Sequence, residues 1–184
     1  DKIREAVDVL KSGGTLLYPT DTIWGVGCDA TNEEAVEKIV ALKNRPATKS
    51  FIVLVNSVAM LERYVPDFPE VCYDIIDFST KPTTIIYEKA IGIAKNVLAD
   101  DGSIGIRVTN DPICKEVIKL FHKPIVSTSA NLSGQKSPKN FTDVDSQIKK
   151  GVDFVLEERI NEEMVKPSTI IKINNDNSVR VIRK

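Results

Sequence analysis

Apolar residues at positions 3, 6, 7 and 10 recur at the spacing of one helix face, and Gly13 and Gly14 end that helix. Residues 15–18 follow as a short apolar run closed by Pro19, the pattern of a buried strand. Thr31, Asn32, Glu33 and Glu34 have the T-x-x-E form of a capping box. They open a second helix through Val36, Ile39, Val40 and Leu42, which stops near Pro46. Residues 51–55 are a further run of strand formers, and Ser57 is placed to cap the helix after it. Residues 83–87 and 103–107 predict two more strands. Ile113, Val117, Ile118 and Phe121 predict another amphipathic helix, followed by a short strand at Ile125 and Val126.

Residues 127–140 mix Gly, Ser, Pro and Asn and read as largely loop. Strands near 154–156, 169–173 and 179–182 complete the pattern, with Asn174 to Asn177 as a hairpin turn between the last two. Interleaved helices and strands with a late hairpin predict an α/β fold built on a mixed sheet. No internal repeat, low-complexity tract or linker interrupts it, so one domain over residues 1–184 is expected.

Composition narrows the function classes. A chain of 184 residues with 42% hydrophobic and 28% charged residues reads as an ordinary soluble globular domain. A net charge of −1 exerts no general pull on nucleic acid, so any such attraction is local. Cys28, Cys72 and Cys114 are widely spaced, and His122 is the one histidine. That inventory argues against a zinc site, and three free thiols suit a reducing compartment, so a cytoplasmic location is expected. No apolar run reaches membrane-span length, and the charged amphipathic start does not read as a signal peptide.

Three polar segments stand where open α/β sheets bind ligands, at strand ends. Residues 18–27 combine hydroxyls, one carboxylate, Trp24 and two glycines, and read as a pocket edge with close backbone approach, against the alternative of a rigid strand-to-helix loop. Lys43, Arg45 and Lys49 leave a helix C-terminus, where the dipole alone favours cations. Pro46 stiffens that segment, and a pre-set pair of cations also suits triphosphate, arginine through its fork and lysine as a point charge. Ser127, Thr128, Ser129, Asn131, Ser133 and Gly134 can offer a nest of donors to an anion or a purine. Neither a P-loop nor a G-x-G-x-x-G fingerprint occurs. A Ser-His-Asp triad would need His122, which sits at the polar end of a helix and is expected at the surface.

Taken in order, these segments resemble the YrdC-like threonylcarbamoyl-AMP synthase family, in its short bacterial type. The matching stretches are Tyr18, Pro19, Thr20, Asp21 and Thr22; Lys43, Asn44, Arg45 and Pro46; Ile106 to Pro112; Ser127 to Gly134; and Pro167, Ser168 and Thr169. The Lys43, Arg45, Ser129 and Asn131 set is the family's hallmark. The resemblance implies a twisted mixed sheet flanked by helices around a basic cavity. It implies a nucleotidyltransferase that makes threonylcarbamoyl-AMP and pyrophosphate from L-threonine, bicarbonate or CO2, and ATP. The product serves the threonylcarbamoyladenosine modification of tRNA through a downstream transferase complex. Mg2+ is expected with the ATP, and no organic cofactor or metal site on the protein.

By the same resemblance, Lys43, Arg45, Ser129 and Asn131 are catalytic, and Thr22, Arg107 and Ser168 meet threonine. Arg45, Lys49, Thr84, Ser127, Ser129, Ser137 and Arg183 meet the nucleotide. Cations, hydroxyls and amides suffice, because the task is to position two anions and neutralise their charge. The chain departs from the family at residues 79–84, where many relatives carry an aromatic-Pro-Gly-Pro-x-Thr run. Lys81 is expected to face the cavity and help hold phosphate, against the alternative of an exposed turn lysine. Leu54 stands where longer relatives often carry a histidine, and Trp24 where tyrosine or phenylalanine is usual.

Two other readings compete. Between residues 113 and 150 there are seven lysines and three acidic residues, a candidate surface for tRNA or double-stranded RNA in a ribosome-assembly protein without adenylate synthesis. A carbamoyl-transfer module of hydrogenase maturation is the third reading, and no zinc-finger cysteines accompany it. Arg45 separates catalysis from these. Arg45→Lys keeps the charge but loses the fork, so turnover falls; Arg45→Ala costs about 2–4 kcal/mol of transition-state stabilisation. Pyrophosphate release and unfolding midpoints, measured together, check both variants.

Overall fold

The structure is a computed structural model that describes every residue of the chain except 45, 47–49 and 165. Its helices are α1 (Lys2–Lys11), α2 (Glu33–Lys43), α3 (Val58–Tyr64), α4 (Val71–Phe78), α5 (Pro112–Phe121) and α6 (Ser146–Gly151). Its strands are β1 (Leu16–Tyr18), β2 (Gly25–Gly27), β3 (Ile52–Val55), β4 (Thr83–Tyr87), β5 (Ile104–Val108), β6 (Ile125–Ser129), β7 (Phe154–Val155), β8 (Thr169–Ile173) and β9 (Val179–Arg183). Among the described residues, these nine strands form one twisted sheet in the order β7-β1-β2-β6-β3-β5-β4-β8-β9. β1–β7, β3–β5 and β4–β8 run parallel and the other neighbours antiparallel, the mixed sheet that the sequence predicts.

Short polar side chains start the helices as expected, with one correction. Ser57 Oγ accepts from Met60 N at 3.1 Å, and Asp111 Oδ2 from Cys114 N at 2.9 Å. At α2, however, the cap is Asn32, whose Oδ1 accepts from Ala35 N. Thr31 is drawn away: its hydroxyl and backbone N–H both donate to Asp29 Oδ1, at 2.7 and 2.8 Å. Asn44, at φ 54°, ends α2 before Pro46 is reached.

The segment 18–27 is not a strand-to-helix loop. It is a hairpin, β1 pairing with β2 from Leu16–Gly27 to Tyr18–Gly25. Nor is 127–140 all loop, since β6 continues through Ser127, Thr128 and Ser129. Both differences have one cause: β2 bonds to β6, with Gly25 opposite Ser129 and Val26 opposite Thr128. A cross-strand partner holds these polar and glycine residues extended where their own propensity does not. Gly27 is required at this junction. A side chain there would collide with the Val126 carbonyl and the Tyr18 ring. The Tyr18 hydroxyl donates to Val126 O at 2.8 Å, bridging the hairpin to β6.

Helices α1 and α5 meet one another, and α3 lies against β3 and β5. The core contains Leu10, Leu16, Leu17, Trp24, Ile39, Val53, Ile85, Ile106, Val126 and Phe121. Trp24 stacks at a tilt on Phe141, with ring centroids 5.2 Å apart. Cys28, Cys72 and Cys114 are all buried and unpaired with one another.

That burial sets the alkaline response. Loss of solvation pushes the Cys72 thiol up to about 11, and the Cys28 and Cys114 thiols and the Tyr18 and Tyr87 phenols well above their ordinary ranges. In the unfolded chain these thiols ionise near their ordinary pKa of 9.0 while the folded chain keeps its protons. Stability is therefore constant below that pH and falls as pH climbs above it. Urea midpoints at about pH 8 and about pH 10.5 check this, the second being lower. A second expectation is that Gly27→Ala lowers stability by about 1–3 kcal/mol through overpacking, measured by the same urea titration.

Candidate active site

Side chains alternate across a strand, so register decides which residues share a face. Arg107 on β5 lies between Leu54 on β3 and Thr84 on β4. Thr84 faces Ile170 on β8, and Ile170 faces Arg183 on β9. The adjacent row runs from Ser127 on β6 through Ile52 and Gly105 to Ile86. Apart from the fully buried Leu54, these two rows form the floor of a cavity of about 470 Å³. The intervening residues Val53, Ile85 and Ile106 enter the core on the other face.

Arg183 reaches this face because of a β-bulge. Val181 pairs with Ile171, but Ile170 pairs with Arg183, leaving Ile182 as the extra residue. Its Nε donates to Ser168 O at 3.0 Å and its Nη2 to Ser168 Oγ at 3.4 Å. The Ser168 and Thr84 hydroxyls share a hydrogen bond of 2.7 Å.

Arg107 is 3% exposed. One Nη2 reaches Asp21 Oδ1 at 3.1 Å and Thr22 Oγ1 at 3.4 Å. Its Nε is buried and has no hydrogen-bond partner among the described residues. The Thr20 hydroxyl sets the loop that presents Asp21 and Thr22: it donates to Ile23 O at 2.6 Å and accepts from Thr22 N at 3.0 Å. The Arg183 guanidinium is held below its ordinary pKa, first by burial and then by the charge of Arg107. Two cations thus converge on one concavity, an arrangement that favours an anionic ligand between them.

Of the residues expected at the site, the cavity brings together Thr22, Thr84, Arg107, Ser127, Ser129, Ser137, Ser168 and Arg183. Arg45 and Lys49 lie outside the described residues. Lys43 is 1% exposed and stands behind the wall, its Nζ donating to Thr128 Oγ1 at 2.8 Å and Ser129 O at 2.6 Å. Asn131 is also set back: its Nδ2 donates to Leu132 O and Gln135 O, closing the turn after β6. Lys81 does not face the cavity. It is exposed and borders a smaller pocket with Ile85, Tyr87 and Ile106, on the opposite face of β4 and β5. The two-residue period explains this: Thr84 and Ile86 take one face of β4, and Thr83, Ile85 and Tyr87 the other.

Residue chemistry did not point to Ile52, Ile86, Gly105 or Ser103, which also line the cavity. The usable signal was register: Gly105 is the cross-strand neighbour of both Ile52 and Ile86. The lysines of residues 113–150 are distributed over α5, the turn between α5 and β6, the loop after β6, and α6, and Lys149 lies over the Phe141 ring at 4.4 Å. His122 is exposed and ends α5 at φ 68°. Among the described residues there is no group of three or more His, Cys, Asp or Glu arranged to hold a metal. No helix among them is long and apolar enough to cross a membrane.

Comparison with known proteins identifies the family and the fold. The Sua5/YciO/YrdC family model, described as "Telomere recombination", matches residues 8–184. A threonylcarbamoyl-AMP synthase of Pseudoalteromonas translucida is 35% identical over 171 residues, covering 91% of this chain and 91% of that protein. Its counterpart in Psychromonas ingrahamii is 36% identical over 152 residues, 80% of this chain and 79% of that one. The structure of P. abyssi Sua5 complexed with L-threonine superposes with a TM-score of 0.82 at 25% identity. That match covers 93% of this chain and 50% of Sua5, so this chain spans about half of that protein. With the family model matching nearly end to end and the same sheet recurring in the solved relative, this chain belongs to the Sua5/YciO/YrdC family.

Proposed function

We propose that this chain is an L-threonylcarbamoyladenylate synthase, a nucleotidyltransferase that consumes L-threonine, bicarbonate or CO2, and ATP. The observation that carries this reading is the pairing of a buried, incompletely bonded Arg107 with a hydroxyl-lined wall in one cavity. The names of the relatives and the threonine-bound Sua5 support it.

Arg107 receives the threonine carboxylate through its fork, with Thr22 and Ser168 beside it. Asp21 compensates the guanidinium and fixes its plane. The threonine nitrogen, as the free amine, adds to the carbon of CO2 and loses a proton, or displaces water from bicarbonate; either route leaves a carbamate. A carbamate oxygen then attacks the α-phosphorus of ATP, the bond to the β-phosphate oxygen breaks, and pyrophosphate leaves. Thr84, Ser127, Ser129, Ser137 and Arg183 hold the nucleotide, together with Arg45 and Lys49; Lys43 and Asn131 complete the hallmark set. Mg2+ would arrive with ATP as part of the substrate and would supply neutralisation of the phosphate charge. No side chain needs to form a covalent bond, because orientation and charge neutralisation lower the barrier. The adenylate passes to a tRNA-modifying threonylcarbamoyl transferase complex in the cytoplasm.

The test is pyrophosphate release that requires threonine and bicarbonate together. Release that ignores threonine would instead favour the carbamoyl-transfer reading, and no release beside salt-sensitive RNA binding would favour the RNA-binding one. Arg107→Ala is expected to cost about 2–5 kcal/mol in kcat/KM for threonine, since it removes one member of a buried charge pair. Arg107→Lys recovers part of this at most. Steady-state kinetics with a thermal melt of each variant check both.

A further inference from the structure

The geometry points to Lys43 as a positioning residue: its buried ammonium braces the end of β6 and so sets the serine wall of the cavity. The ladder between β3 and β6 ends at the pair Ile52–Ser127. Past that point Thr128 and Ser129 keep β2 as a neighbour on one side, through Gly25–Ser129 and Val26–Thr128. On the other side the chain before β3 turns away, with Phe51 N donating to Val97 O. The Ser129 carbonyl is therefore two residues beyond the last β3–β6 pair, and Lys43 Nζ donates to it at 2.6 Å. The same ammonium donates to Thr128 Oγ1 at 2.8 Å, gripping two consecutive residues of the strand.

A second link returns from the loop. Ser133 N donates to the Lys43 carbonyl at 2.9 Å, so one residue ties both β6 and the turn after it to the end of α2. Asn131 closes that turn from within, through Leu132 O and Gln135 O. The α2 end is itself fixed, because Asn44 adopts the left-handed conformation directly after Lys43. Lys43 is 1% exposed and does not line the cavity, whereas Ser127 and Ser129 do. Its two described acceptors are protein oxygens. A lysine so placed acts on a bound phosphate through the hydroxyls it positions.

The kinetic arm of the test rests on the adenylate-synthase reading; the exchange arm does not. In the exchange arm, Lys43→Met raises amide hydrogen exchange across residues 127–134 by at least about tenfold while β4, β5 and β8 are unchanged. Unchanged exchange in 127–134 overturns the proposal. In the kinetic arm, Lys43→Met lowers kcat by about tenfold to a hundredfold, the scale of a misplaced catalytic wall, with KM for threonine within about twofold. In a Ser129→Ala background the same change adds less than about threefold, because the hydroxyl being positioned is already gone. Lys43→Arg does not rescue, since a buried slot fitted to an ammonium does not accept a guanidinium. Full additivity with Ser129→Ala, or rescue by arginine, would mean direct phosphate contact and would overturn the proposal. If Lys43→Met does not fold, Thr128→Val removes one acceptor and leaves the ammonium in place. It is then expected to lower kcat and loosen 127–134 in the same direction, and wild-type values for both would count against the brace.

Discussion

A guanidinium buried beside a carboxylate organises the cavity. Arg107 is taken out of water on a central strand, and such a charge is tolerated only where partners meet its donors. Asp21 and Thr22 come from the β1–β2 hairpin, several strands away along the sheet. The hairpin must therefore close over β6 and β3 to reach β5. Gly27 makes that approach possible by lacking the side chain that would strike Val126 and Tyr18. The Tyr18–Val126 bond then holds it there. The position of Arg107 and the compensation of its charge follow from one packing solution.

The sheet separates two tasks by strand parity. On β4 and β5, Ile85 and Ile106 enter the core while Thr84, Gly105 and Arg107 face the cavity. The β9 bulge re-aims Arg183 to the same side, where its charge and that of Arg107 oppose each other. An anion placed between the two guanidinium groups is favoured by both charges. Binding and catalysis thus draw on the same electrostatic arrangement, with hydroxyls supplying the remaining directed bonds.

Much of this was legible in the chain. β4 and β8 have the predicted bounds, because their apolar runs are long and flanked by turn residues. β2 was not legible: Gly-Val-Gly has no strand signal of its own and is extended only because β1 and β6 flank it. The strand character of Ser127 to Ser129 was hidden for the same reason. At α2, Thr31 and Asn32 are both good caps, and Asp29 decides between them by taking Thr31. The hallmark residues divide in a similar way. Their identity and order are readable, whereas the burial of Lys43 behind the wall is a property of the packed structure. Alternation through the predicted β4 already sets Lys81 with Thr83 and away from Thr84's face, so that placement was readable in the chain.

The central claim is that one cavity holds threonine on Arg107 and the nucleotide along the β6 hydroxyls. A structure of the protein with L-threonine and a non-hydrolysable ATP analogue tests it most directly. The account predicts the threonine carboxylate about 3 Å from Arg107 Nε and the phosphates between Arg183 and Ser129. Threonine bound away from Arg107, or a nucleotide on the opposite face of the sheet, would contradict it.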